Sequence, residues 1–162
     1  MTSSGIGRRY IEEARGRVDL VRLAQQRGLW STVVREAQEA VELFLKGALR
    51  LAAVEPARTH DVADVLTREE GRFPPWFRSE IPALASISTE TAGDRGVAFY
   101  GDERQGIGPQ DLFDAEDADR AIRNLDYVAG LCTRLIEAGT ESSGDARDIA
   151  QGAEESNRPS ES

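Results

Sequence analysis

The feature that most constrains this chain is a stripe of apolar side chains that begins at Trp30 and ends at Ala52. Within it an apolar residue recurs every three or four positions, which places all of them on one side of an α-helix. The stripe persists through about seven turns at ~3.6 residues per turn. It predicts one long amphipathic helix from about Leu29 to Ala53, the second helix of the chain.

The residues before this helix carry another stripe of the same spacing. It runs from Tyr10 to Ala24 and ends at Arg27-Gly28, where a glycine follows a cation, a typical helix stop. The break between the two stripes is short. The first and second helices should therefore pack side by side as an antiparallel hairpin.

Two shorter helices are predicted after Pro56, which closes the second helix. Thr59 is a suitable N-cap for a short third helix. A fourth helix is expected within residues 76–92. We place Pro82 in its first turn, beginning near Ser79, because a proline further along would remove a backbone hydrogen bond.

Residues 93–113 are rich in Gly, Asp and Arg and predict an ordered loop. A last helix follows, with Asp114 as its cap and Asp117 in its first turn, where a negative charge is favourable. It should end near residue 138. Beyond Gly139 the chain is mainly small, polar and acidic. Such a segment buries too little apolar surface to offset the entropy of ordering, so a disordered tail is expected over 139–162.

Together these segments predict an all-α protein. The expected architecture is an up-and-down bundle of about five helices over residues 1–138, followed by the acidic tail. Strand-type alternation and internal repeats do not occur in the sequence. A chain of 162 residues is long enough to close one hydrophobic core as a single domain.

Charge and composition restrict the function classes. The net charge of −9 argues against broad phosphate-driven nucleic-acid binding, although a local basic groove stays compatible with it. No apolar run approaches the ~20 residues of a membrane span, and the start of the chain lacks a signal-peptide pattern. The single cysteine, Cys132, lies on the apolar side of the last helix and should be a buried structural thiol. We expect a cytoplasmic protein without metal or cofactor.

One face of the second helix carries an ordered set of charges. Glu39, Glu42 and Lys46 follow one another at spacings of three and four residues, so they share that face. Glu42 and Lys46 have the order that favours a helical ion pair, but an exposed pair contributes only about 0.3–0.5 kcal/mol. Solvated faces with such pairs are ordinary, so the charges alone do not indicate a site. Lys46 is nevertheless the only lysine among 20 basic residues.

Two motifs lie on the second helix and in the turn after it. The first is Ala-Val-Glu, three apolar residues and Lys over Ala40–Lys46, and the second is Thr59-His60-Asp61. Together they resemble the HEPN domain, a small prokaryotic helical module linked to nucleotides, nucleotidyltransferase partners and RNA cleavage. A loop with Phe99–Glu103 and Gly106–Pro109 is similar to one branch of the family. The resemblance covers about residues 8–138.

The nuclease members of that family carry an arginine followed, after four to six residues, by a histidine, a pair suited to acid–base chemistry on a ribose. His60 is the only histidine in the chain. The three positions that could hold its arginine are Ala53, Val54 and Glu55. Elsewhere Arg95 is followed after four residues by Tyr100, but a phenol with a pKa near ~10 is a poor base at neutral pH. We assign no catalytic residue.

One hypothesis for His60 is that it converges with Glu42 and Lys46 where the second and third helices meet, making a small polar site for a phosphate or nucleotide. Lys46 would supply a positive charge to a phosphate, and His60 would supply a hydrogen bond. The alternative for His60 is a hydrogen bond to backbone or to a neighbouring carboxylate, with no ligand involved. The candidate ligand-binding residues are Glu42, Lys46, His60, Asp61, Arg95 and Tyr100.

The leading hypothesis is a non-catalytic, nucleotide- or RNA-associated binding and interaction module that works with a nucleotidyltransferase-type partner. The resemblance implies a homodimer, and the long apolar stripes suit one, because a small bundle has little room to bury both faces of its longest helix. Two alternatives stay open. One is a divergent metal-independent RNase of a toxin–antitoxin or defence system, and the other is a purely structural helical adaptor.

Overall fold

The computed structural model describes residues 2–100 and 105–155, with side chains described in 2–93, 105–108 and 110–139. Every regular element in this part of the chain is helical. A 3₁₀ turn at Glu70–Arg72 accompanies seven α-helices. These are α1 (Ser3–Gln26), α2 (Trp30–Leu51), α3 (Ala63–Arg68), α4 (Pro75–Arg78), α5 (Ile81–Tyr100), α6 (Pro109–Leu112) and α7 (Ala115–Glu155).

The all-α prediction is confirmed, and the predicted helices correspond to α1, α2, α3, α5 and α7. The count of about five was low because α4 and α6 are single turns. Four-residue helices are too short to show a periodic apolar pattern. A proline stands at the start of each of these two helices, where its missing N–H costs no helical hydrogen bond.

The predicted hairpin of α1 and α2 is confirmed, and its turn is built around Gly28. Gly28 has a φ of 67°, in the left-handed region that glycine adopts without steric cost. The Leu29 N–H donates to the Ala24 carbonyl at 3.0 Å, and the Gly28 N–H donates to the Gln25 carbonyl at 3.1 Å. This pair of bonds is a Schellman motif, which ends α1 and turns the chain into α2.

The backbones of α1 and α2 approach closely at two glycines. A Cβ added to Gly7 would lie 2.8 Å from the Gly47 carbonyl oxygen, and one added to Gly47 would lie 2.6 Å from Ile11 Cγ1. Real Cβ atoms do not approach other atoms this closely, so a side chain at either position would force the helices apart. The position after Lys46 therefore serves packing.

The third helix begins later than predicted. Thr59 is not its N-cap, because α3 begins at Ala63 and follows Val62, whose side chain makes no capping hydrogen bond. The Thr59 hydroxyl instead donates to the Asp61 carbonyl at 2.9 Å. That bond belongs to the loop, so His60 lies in the α2–α3 connection and not in a helix.

The placement of Pro82 is confirmed, since α5 begins at Ile81 and Pro82 is in its first turn. The predicted loop over 93–113 is partly wrong, because α5 continues to Tyr100 and α6 forms from Pro109 to Leu112. Its glycines suggested a loop, but glycine in a helix interior costs only about 1 kcal/mol and does not end the helix. Residues 101–104 lie outside the described residues.

Asp114 caps α7 as predicted. Its carboxylate accepts from the Asp117 N–H at 2.9 Å, and the Asp117 carboxylate accepts in return from the Asp114 N–H at 3.1 Å. Two N–H groups that the helix cannot satisfy are thereby paired in a capping box. The hydrogen bond from the Asp117 N–H is the main reason that the pKa of Asp114 lies below its ordinary value.

The backbone of α7 is helical to Glu155, past the predicted domain end at residue 138. Side chains after Gly139 and all of residues 156–162 lie outside the described residues. The disordered tail over 139–162 therefore stays a prediction.

The core lies where α2 packs against α1, α5 and α7. Cys132 belongs to it, fully buried with its Sγ 3.5 Å from the Phe44 carbonyl, and burial raises the pKa of this thiol to about 12. The predicted structural role of Cys132 is confirmed. None of the described helices is long and apolar enough to cross a membrane. The largest fully buried side chains are Phe44, Phe77, Ile11, Leu45, Leu49, Leu66, Ile81, Leu84 and Leu125.

Candidate functional site

Glu42 lies at the centre of a short chain of polar contacts on α2. One carboxylate oxygen, Oε1, accepts from Lys46 Nζ at 2.7 Å. The other, Oε2, lies 3.0 Å from His60 Nδ1. Lys46 is one helical turn further along α2 than Glu42. His60 comes from the loop before α3, which brings it to the Glu42 carboxylate. The structure therefore brings together three of the predicted site residues.

The Glu42–Lys46 pair is more shielded than the sequence suggested. Each side chain is only 15% exposed, whereas the sequence predicted an ordinary exposed pair. Shielding weakens the screening of this pair by solvent and salt, but it also adds a cost of desolvation, so the pair is weak evidence for stability. The neighbouring Glu42 carboxylate also compensates the Lys46 charge. Lys46 therefore does not act as an isolated positive charge for a phosphate.

His60 is the exposed member of the contact chain, with 57% of its side chain accessible. A carboxylate oxygen can only accept, so the contact with Glu42 requires that Nδ1 carry a proton. In the neutral imidazole this leaves Nε2 as a hydrogen-bond acceptor. Protonation would make both nitrogens donors. The ring is thus oriented by α2 and remains accessible to a ligand.

Asp61 does not join this contact chain and instead connects the α2–α3 loop to α5. Its Oδ1 accepts from the Ala63 N–H at 2.9 Å and from the Ser88 hydroxyl at 3.0 Å. Its Oδ2 accepts from the Thr89 hydroxyl at 2.9 Å. Partial desolvation raises the pKa of Asp61, but the three hydrogen bonds outweigh it and lower the pKa below the ordinary value.

Ser88 completes this connection from the α5 side. The residue is only 3% exposed, and its Oγ accepts from the Val62 N–H at 2.9 Å. A buried backbone N–H without a partner would be costly, so Ser88 is needed for the loop to reach its observed position. Asp61 and Ser88 together hold the segment that carries His60.

Two adjoining depressions lie between α2 and α5, and we call them together the His60 groove. Both are shallow. The one beside His60 has a cavity volume of about 10 Å³ and the second, toward α7, about 30 Å³, which is room for one or two water molecules each. Gln38, Val41 and Thr91 line both, so the depressions form a continuous surface.

Gln38 is the residue of this groove that sequence reasoning missed. The side chain is 95% buried, since its exposure is 5%. Its Oε1 has no hydrogen-bond partner among the described residues. A buried amide oxygen without a partner is unusual in a folded protein, and a ligand or water commonly satisfies it. The only sequence signal was a glutamine at a position of α2 facing the core.

The far end of the groove carries charges that compensate one another. Arg120 on α7 lies 3.2 Å from Glu90 Oε1 on α5 and 3.3 Å from Asp117 Oδ1. Asn124 and the Phe113 ring also line this end. One arginine and two carboxylates give this end of the groove a slight net negative charge. It is better suited to hydrogen-bond donors than to a phosphate.

The remaining candidate residues cannot be placed in the site. The backbone of Arg95 and Tyr100 belongs to α5, but their side chains lie outside the described ones. Within the described residues no group of three or more His, Cys, Asp or Glu side chains has an arrangement that could hold a metal ion.

Comparison with known proteins gives one match. The family model described as HEPN domain matches residues 8–154. Neither the curated proteins nor the solved structures contain a significant match. The matched range includes α2, the loop with His60, α5 and most of α7.

Proposed function

Because the chain belongs to the HEPN-domain family, as the match over residues 8–154 shows, we propose that it is a non-catalytic binding and interaction module for a nucleotide or an RNA end. The contact chain from Lys46 through Glu42 to His60 carries this proposal. It orients an accessible imidazole at one end of the His60 groove.

The exposed acceptor of the groove favours the nucleoside part of the ligand over its phosphate. His60 Nε2 is an acceptor when the imidazole is neutral, whereas Gln38 Oε1 is buried. Base amino groups and ribose hydroxyls are the matching donors. Phe113 and Val41 add apolar surface suited to the face of a base.

The pairing of the charged groups argues against catalysis. A ribonuclease of this family type needs a cation beside the histidine to stabilise the developing phosphorane charge. Here the described neighbour of His60 is a carboxylate, and the sequence has no arginine separated from the histidine by four to six residues. A histidine held by Glu42 can bind, but its contact in the described part of the chain is not the cation that the cleavage needs.

A thermal-shift panel of nucleosides and nucleotides tests the binding function. At about 100 times its dissociation constant, a ligand stabilises the folded protein by ~2.7 kcal/mol, which is a readily measured shift in melting temperature. His60→Ala should abolish the shift. Arg58→Ala is the matched control, because Arg58 is exposed in the same loop and does not line the groove. A full shift in His60→Ala would contradict the proposed site.

Incubation with labelled RNA tests the absence of catalysis. We expect no cleavage above that of a buffer control. Cleavage that disappears in His60→Ala or Arg95→Ala would contradict the proposal and favour the ribonuclease alternative.

The proposed partner is a nucleotidyltransferase-type protein, and the proposed assembly of the chain itself is a homodimer. Co-expression with a small nucleotidyltransferase encoded by a neighbouring gene should yield a complex in size-exclusion chromatography with light scattering. The chain alone should elute at twice its mass of 17.7 kDa. A monomer that remains separate from such a partner would contradict this part of the proposal.

A further inference from the structure

A second recess lies away from the His60 groove, where the start of α1 and the end of α2 meet α7. Its cavity volume is about 300 Å³, at the lower end of the roughly 300–1,000 Å³ typical of small-molecule sites. We call this recess the α1–α7 cleft. Its lining residues come from α1, α2, α7 and the segment between the 3₁₀ turn and α4.

Most of the cleft is apolar. Leu51 and Ala52 at the end of α2 lie on one side, and Leu135 and Ile136 of α7 on another. Phe73 contributes an aromatic ring that stacks on Phe77 with the ring centroids 4.7 Å apart. An apolar surface with a ring fixed in position suits a flat or branched hydrocarbon body.

Among the described residues that line the cleft, two are charged, Arg8 on α1 and Arg72 in the 3₁₀ turn. Their two positive charges stand out in a chain with a net charge of −9. The guanidinium group has five N–H donors in a planar arrangement that matches carboxylate and phosphate oxygens. The cleft therefore offers charge complementarity to an anion beside an apolar surface.

Arg72 is held at the cleft through its Nε. Its Nε donates to Glu69 Oε2 at 2.8 Å, which fixes the direction of the side chain. The terminal nitrogens can bind a ligand in addition. Arg68 contacts the same carboxylate, with its Nε 3.3 Å from Glu69 Oε1, but it does not line the cleft.

Ser4 adds the first turn of α1 to the cleft. Backbone N–H groups at a helix start lack helical partners, and the helix dipole makes this end favourable for negative charge. Together with the two arginines, this favours a doubly charged anion over a singly charged one.

We propose that the α1–α7 cleft binds a phosphate monoester carried on an apolar or aromatic body. The two arginines hold the phosphate dianion, and the surface formed by Leu51, Phe73 and Leu135 covers the body. This site is separate from the His60 groove and does not depend on the function proposed for that groove.

Titration of the full chain with 1-naphthyl phosphate, followed by fluorescence, tests the proposal. The probe combines a phosphate dianion with a flat apolar body. We expect saturable binding that weakens at least roughly tenfold in Arg72→Ala and in Arg8→Ala, because each change removes a charge-assisted contact. Arg68→Ala is the matched control, and its affinity should stay within about twofold of the unchanged protein.

Two further probes separate the parts of the proposed ligand. 1-Naphthol lacks the phosphate and inorganic phosphate lacks the body, so each should bind at least roughly tenfold more weakly than the ester. Ala138→Trp, which places a large side chain in the cleft, should also abolish binding. His60→Ala should leave binding unchanged.

Several results would overturn the proposal. One is the absence of saturable binding to the unchanged protein. Another is an equal loss of affinity in Arg68→Ala and Arg72→Ala, which would indicate general attraction to positive charge. A third is binding of 1-naphthol or of inorganic phosphate as tight as that of the ester. Circular dichroism of each variant confirms that the helices are intact before its affinity is compared.

Discussion

At the residue scale, the position of His60 depends on residues that do not contact it. Asp61 accepts hydrogen bonds from Ala63 and from the hydroxyls of Ser88 and Thr89, and Ser88 satisfies the buried Val62 N–H. These contacts join the α2–α3 loop to α5. The predicted ligand residue Asp61 therefore has a structural role in the observed geometry.

The lowered pKa of Asp61 makes part of the stability depend on pH. Because the folded-state pKa lies below the unfolded one, the stabilisation is present at neutral pH and is lost as the pH falls through the folded-state value, below about 4. Asp61→Ala should destabilise the protein by roughly 1 kcal/mol at pH 7, since solvent screens an exposed carboxylate. Urea unfolding at several pH values measures this.

The difference between the unchanged protein and Asp61→Ala should shrink as the solution is made acidic. Asp19→Ala serves as the control, because Asp19 is exposed on α1. A difference for Asp61→Ala that is the same at pH 7 and pH 3 would contradict the role given to its ionised form.

At the element scale, the contact between α1 and α2 requires glycine at two positions. Gly47→Ala should destabilise the protein by about 1–3 kcal/mol, because the new methyl group would collide with Ile11. Gly16→Ala is the matched control in α1, where nothing lies within 4 Å of the added Cβ. That substitution should stabilise by up to about 1 kcal/mol, since alanine favours the helix. If thermal unfolding shows that Gly47→Ala and Gly16→Ala change the stability in the same direction, the close approach of α1 and α2 at Gly47 is contradicted.

The end of α2 contains a strained residue that offers a stabilising change. Ala53 has a φ of 58°, in the left-handed region that disfavours a Cβ, and the Val54 N–H donates to the Leu49 carbonyl at 2.9 Å. Ala53→Gly should raise the free energy of unfolding by roughly 0.5 kcal/mol. The change relieves the backbone strain, and the greater entropy of glycine in the unfolded chain offsets part of that gain. Ala52→Gly, at a φ of −81°, should not stabilise. Denaturant titration of both variants decides the point.

The sequence predicts some of the helices more accurately than others. The apolar stripes located α1, α2 and α7, because a periodic pattern can be read locally from the sequence. Gly28 marked the end of α1 and Asp114 marked the start of α7, because stop and cap signals are also local. The start of α3 was misplaced since Thr59 bonds within its own loop, a choice that depends on α5. The end of α5 was predicted as a loop because it is rich in glycine, although a glycine costs a helix interior only about 1 kcal/mol and does not by itself end the helix.

Some residues of the candidate site could likewise be identified from the sequence, and others could not. Glu42 and Lys46 could be paired from their spacing along one helix, and the resemblance to a family added His60. Gln38 could not be recognised, because its importance comes from burial without a described hydrogen-bond partner. The α1–α7 cleft was missed for a similar reason. Four segments distant in sequence form it, and no local pattern connects Arg8 with Arg72.

At the scale of the whole molecule, α2 is the central helix. One side packs on α1 through Gly47, and the others contact α5 and α7. Its length lets it take part in both recesses, the His60 groove near its middle and the α1–α7 cleft at its end. In a chain with an acidic net charge, we propose that ligands are recognised at two places, the accessible imidazole of His60 and the arginines of the α1–α7 cleft.

Ligand binding at His60 can be tested directly, because the chain has one histidine. The imidazole Hε1 proton of His60 therefore gives a single proton NMR signal, observable in the full chain without substitution. Titration with the nucleoside or nucleotide that raises the melting temperature should move this signal in a saturable way, with the same dissociation constant as the thermal shift. A ligand that stabilises the protein while the His60 signal stays in place would contradict the proposed binding site.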